Sequence, residues 1–73
     1  MIEWFPVAGS KRVVADAYID DTETILVEFP NGIRWWYGNC PLQVWEEFNS
    51  LGVSKGQYIA QVLNHHPNGR YDG

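Results

Sequence analysis

Three stretches of the chain alternate apolar and polar positions, and two later stretches repeat apolar residues at helical spacing. From residue 12 to 19, Val13, Ala15, Ala17 and Ile19 share one face, while Val14, Asp16, Tyr18 and Asp20 share the other. Asp20-Asp21-Thr22-Glu23 is a polar turn. Between 24 and 29, Ile25, Val27 and Phe29 form an apolar row, with Leu26 and Glu28 opposite. Pro30-Asn31-Gly32 is the strongest turn signal, since proline presets the turn and Asn-Gly supplies positive φ at little cost. Residues 33–37 then place Ile33, Trp35 and Tyr37 on one face and Arg34 and Trp36 on the other. Short strands separated by tight turns predict a three-stranded antiparallel meander.

After Tyr37 the period changes. Asn39 or Cys40 is placed to cap a helix with Pro41 at its first position, where a missing N–H is harmless. Val44, Trp45 and Phe48 make its buried stripe, and Gly52 ends it. Ser54 is placed to cap a second helix, with Tyr58, Ile59, Val62, Leu63 and His66 at helical spacing until Pro67-Asn68-Gly69. The pattern therefore predicts an α+β domain in which helices over about 41–51 and 54–66 cover one face of the meander, because a sheet this small needs such cover. The predicted core is Ile25, Val27, Phe29, Trp35, Tyr37, Val44, Trp45, Phe48, Tyr58 and Val62. Residues 1–11 are expected to form an extended arm, 67–73 a loose tail, and 1–73 a single domain.

Composition sharpens this picture. A chain of 73 residues has room for one core only. Cys40 is the only cysteine, which excludes an internal disulfide and a cysteine-only zinc site and suggests a reducing, cytoplasmic compartment. Four Trp, four Tyr and three Phe are the remaining way to stabilise so small a core. The N-terminal residues lack a basic start followed by an apolar run, so no secretory leader is expected. Apolar runs are far shorter than the roughly 20 residues that span a bilayer, so no membrane partner is expected either. Nine acids against five bases give a net charge of −4, which disfavours generic nucleic-acid binding. The adjacent His65 and His66 point about 100° apart on a helix and do not chelate one ion together, so no metal and no cofactor are expected. Cys40 beside Pro41 is expected to serve as a buried small hydrophobe. No arrangement of Ser, Cys, His and Asp fixes a catalytic geometry.

The order Gly32-Ile33-Arg34-Trp35-Trp36-Tyr37-Gly38-Asn39-Cys40-Pro41 resembles the centre of the KTSC domain. That family carries an aromatic-x-aromatic strand, usually Tyr-x-Tyr, three residues after a turn glycine and before a Val-Pro helix start. Ile25, Val27 and Phe29 match its preceding strand, Tyr18 matches a tyrosine in its first strand, and Ser54-Lys55-Gly56-Gln57-Tyr58 matches its Ser-x-Gly-x-Tyr element. The resemblance runs from about Val13 to Leu63. Trp35 stands for tyrosine, Cys40 for valine, and Ala60 for an asparagine often found there. KTSC domains occur alone in bacterial and phage-type proteins and at the C-terminus of some lysyl-tRNA synthetases. The resemblance implies a small α+β domain, with RNA binding a suggested role.

The expected function is a non-enzymatic binding module, a bacterial or phage accessory protein favouring a protein partner or homodimerisation. Its expected surface is Tyr18, Arg34 and Trp36 on the outward sheet face, with Trp4 as a flanking anchor, because Trp, Tyr and Arg dominate interface energetics. The alternative is RNA or single-stranded nucleic acid stacked on the same aromatics and held by Lys11, Arg12 and Lys55. A third class is a phage-encoded enzyme or inhibitor of a host protein.

Overall fold

A computed structural model describes residues 2–72. Its central hairpin joins β3 (Thr24–Glu28) to β4 (Arg34–Tyr37). Gly32 has φ +86°, the left-handed conformation that Asn-Gly turns require, and Asn31 Oδ1 accepts the Ile33 N–H at 3.0 Å. Ahead of this hairpin lies β2 (Ala15–Ile19), paired antiparallel to β3.

The sheet has five strands rather than three, in the order β1-β2-β3-β4-β5. The arm supplies β1 (Phe5–Pro6) and the tail supplies β5 (Asn68–Arg70). Both were too short to show alternation, and both form because the edges of β2 and β4 offer unpaired backbone groups. Two helices separate β4 from β5: α1 (Leu42–Phe48) and α2 (Lys55–Gln61), followed by a 3₁₀ turn at Leu63–His65. Each is shorter than its period suggested. Pro41 occupies the N-cap of α1, with no side-chain cap. Ser54 caps α2, its Oγ accepting from the Gln57 N–H. Among the described residues, no helix is long and apolar enough to cross a membrane.

The register assigns the faces. Asp16, Val27, Trp35 and Arg70 form one row across the sheet, and Tyr18, Ile25, Tyr37 and Asn68 the next, all toward the helices. Ala17, Leu26, Trp36 and Gly69 form a row on the opposite, outward face. The core between sheet and helices contains Val13, Ile25, Val27, Tyr37, Cys40, Phe48, Tyr58, Ile59 and Leu63. Phe29, Trp35, Val44, Trp45 and Val62 pack on it half-buried. Leu26 and Ala17 are also fully buried, although they face outward.

Candidate interaction site

Tyr18 is not on the outward face where alternation placed it. Its side chain turns toward the helices, stacks on Trp45 with ring centroids 5.5 Å apart, and donates its hydroxyl to the Cys40 carbonyl at 2.7 Å. Asp16 likewise turns inward. In the sequence the alanine row of β2 looked apolar and the Asp–Tyr row polar, yet it is the Asp–Tyr row that faces the helices. Asp16 is tolerated inside because Lys55 reaches it.

Lys55 Nζ donates to Asp16 Oδ2 at 2.9 Å, to Asn49 Oδ1 at 2.9 Å and to the Phe48 carbonyl at 3.1 Å. It also lies 3.9 Å from the centroid of the Phe48 ring. The ammonium thus ties β2 to the end of α1 and the start of α2. It is committed internally rather than presented to a nucleic acid. Desolvation raises the Asp16 pKa even against the opposing effect of Lys55.

Cys40 is buried, with Sγ 3.3 Å from the Gly38 carbonyl and 3.6 Å from His66 Nδ1. His66 Nδ1 lies 3.0 Å from the same carbonyl, so both groups converge on one acceptor. Burial pushes the Cys40 thiol up to about 11, so it remains a neutral, poorly nucleophilic thiol near pH 7. Burial likewise moves Tyr37 up to about 12. Tyr58 is raised by burial and by the hydroxyl bond it makes to Glu47 at 2.6 Å. These groups belong to the packed interior.

The outward face gathers the other expected residues. Arg34 Nε donates to Glu28 Oε1 at 2.8 Å, a cross-strand pair on facing positions of β3 and β4. The Arg34 guanidinium carbon sits 4.3 Å from the centroid of the Trp4 ring. Pairing of Phe5 with Asp16 fixes the arm against β2, so Trp4, one residue earlier, falls on the outward side. Trp36 lies against two glycines: a β-carbon on Gly69 would come within 3.0 Å of its Nε1, and one on Gly38 within 3.3 Å of its ring. The indole therefore lies flat across β5 and is half-buried. Trp35, on the other face, donates its N–H to Asn68 Oδ1 at 3.0 Å.

The tail contributes a residue that sequence reasoning missed. The Tyr71 N–H donates to the Arg34 carbonyl at 2.9 Å, extending the β4–β5 register so that Tyr71 stands opposite Arg34 on the outward side. A small depression there is lined by Glu28, Arg34, Arg70 and Tyr71. The available signal was the spacing of Gly69 and Tyr71 at strand period after Pro67. Lys11, Arg12 and Lys55 lie elsewhere, together lining a groove of about 460 Å³ between the β1–β2 loop and the start of α2, with Val7, Val53 and Gly56. The structure brings Trp4, Arg34, Trp36 and Tyr71 together; it does not join Tyr18, Lys11, Arg12 or Lys55 to them.

An antiparallel five-stranded meander, with both helices inserted before its last strand, defines this chain as an α+β domain of the KTSC fold. One solved structure similar to it is a KTSC domain protein from Yersinia pestis, with a TM-score of 0.85. The likeness covers 97% of this chain and 99% of that one at 22% sequence identity, and it concerns the fold. No family model matches the chain. No curated protein matches it.

Proposed function

We propose that this domain is a non-enzymatic protein-binding module that uses its outward sheet face, with Trp36 as anchor and Arg34, Trp4 and Tyr71 around it. The observation that carries the reading is the half-buried Trp36 lying flat on Gly38 and Gly69. Beside it, Arg34 is held between the Trp4 ring and Glu28. A rigid aromatic next to an oriented guanidinium loses little entropy on binding, and Trp, Tyr and Arg are the residue types that carry most interface energy.

Charge favours protein over nucleic acid. Stacking proteins place cations along the same surface as their aromatics. Here Arg34 is neutralised by Glu28, and Lys11, Arg12 and the Asp16-bound Lys55 line a groove away from the outward aromatics. Its partner is expected in a reducing compartment such as the cytoplasm, in keeping with a lone buried thiol.

The test compares wild-type protein with Trp36→Ala, each immobilised at equal density against lysate, with retained folding checked by circular dichroism. Specific partners lost from the variant support the reading; an identical set of captured proteins refutes it. Titration of labelled single-stranded RNA at low and high salt supplies the other arm. Micromolar binding that falls steeply with salt overturns the protein reading in favour of RNA.

A further inference from the structure

The two edges of this sheet are unlike each other. On the β1 side the edge is two residues long and ends in Pro6, which has no N–H to offer. The β5 edge is also short, at three residues, but none of its outward-bonding positions is a proline. Gly38 N–H donates to the Pro67 carbonyl at 2.7 Å and Tyr71 N–H to the Arg34 carbonyl at 2.9 Å. Antiparallel alternation therefore turns the backbone groups of Pro67, Gly69 and Tyr71 toward β4, and those of Asn68, Arg70 and Asp72 outward. The helical layer stops short of this edge, because Asn68 and Arg70, on the helix side of the sheet, are exposed. Arg70 and Asp72 stand two residues apart on that same side, 3.2 Å from each other.

We propose that this edge binds a second copy of the chain, β5 to β5 and antiparallel, with the two-fold axis at Tyr71. The register follows from charge and from alternation. Centring on Arg70 would set two guanidinium groups across from each other, which is repulsive. Centring on Gly69 would oppose two residues without side chains. Centring on Tyr71 sets Arg70 opposite the partner's Asp72 and Asp72 opposite the partner's Arg70, as reciprocal ion pairs on outward-bonding positions. The two Tyr71 rings then meet at a non-hydrogen-bonded position, where cross-strand side chains approach most closely. The sheets would become one continuous sheet, with the outward aromatic faces of both copies side by side. This contact shares Tyr71 with the outward face, but Arg70 and Asp72, which set its register, lie on the other side of the sheet.

Sedimentation velocity from about 10 μM to about 1 mM tests it, a range suited to a short interface. Wild type is expected to shift from monomer to dimer with concentration. Arg70→Pro removes an N–H that makes no bond to β4, so it should keep the fold and stay monomeric. Arg70→Asp places two carboxylates across the axis and should weaken the dimer at least tenfold. The double variant Arg70→Asp/Asp72→Arg restores opposite charges and should recover it. Circular dichroism confirms that each variant is folded. A wild type that remains monomeric at 1 mM overturns the proposal; so does a dimer equally strong in Arg70→Asp, or a double variant no better than the single.

Discussion

Replacing Lys55 by Met removes the cation that pairs with Asp16 and leaves that carboxylate buried. Asp16 is 1% exposed and the Lys55 side chain 14%, so water replaces little of the lost interaction. Breaking a buried ion pair on one side costs about 3–5 kcal/mol. At about 0.05–0.15 kcal/mol per residue, a domain of this size has roughly 4–11 kcal/mol in all. The variant is therefore expected to lose a large share of its stability, with a melting temperature lower by roughly 12 °C or more. The loss has a pH signature. Desolvation already lifts the folded-state pKa of Asp16 above its ordinary 3.8, and removing Lys55 also removes both effects that lower it. A carboxyl with a raised folded pKa binds its proton more tightly in the native state. Its contribution to stability is present below the unfolded pKa and is lost as pH rises through the folded one. The penalty of Lys55→Met, relative to wild type, should thus be large at pH 7 and shrink toward pH 4. Adding Asp16→Asn should recover part of it at pH 7. Urea unfolding followed by tryptophan fluorescence at both pH values measures this. A penalty under about 1 kcal/mol, or one that does not change with pH, would refute the view of Lys55 as the counter-charge of a buried carboxylate.

Other outcomes follow from the same interior. Cys40 moves up to about 11 from 9.0 and Tyr37 up to about 12 from 10.0, so the folded state resists ionising both groups. Their stability is intact below pH 9 and is lost between pH 9 and 12, on the order of a few kcal/mol in all, measurable as a falling urea midpoint. Cys40→Val should flatten the first part of that fall. Tyr18→Phe removes the hydroxyl bond to the Cys40 carbonyl and should cost about 1 kcal/mol of stability while leaving partner capture by the outward face unchanged. A loss of capture in that variant would return Tyr18 to the binding surface.

Local pattern carried the hairpin, the change of period and most of the core. Ile25, Val27 and Tyr37 are buried because alternation and size put them on one face, and Phe48 and Tyr58 because helical spacing does. Alternation in β2 has two possible phases, and composition pointed to the wrong one. What decided it was Lys55, 39 residues away, whose ammonium makes an inward Asp16 acceptable. The outward site was legible in Arg34, Trp36 and Trp4, whereas Tyr71 was hidden in a segment whose strand is only three residues long.

By itself the sequence determined an α+β domain around an aromatic strand, since side-chain period and turn chemistry act over a few neighbouring residues. The tertiary structure alone decided that arm and tail become strands, which face Tyr18 takes, and where the five bases fall. Those outcomes depend on hydrogen bonds and ion pairs between residues far apart in the chain, and no local pattern encodes them.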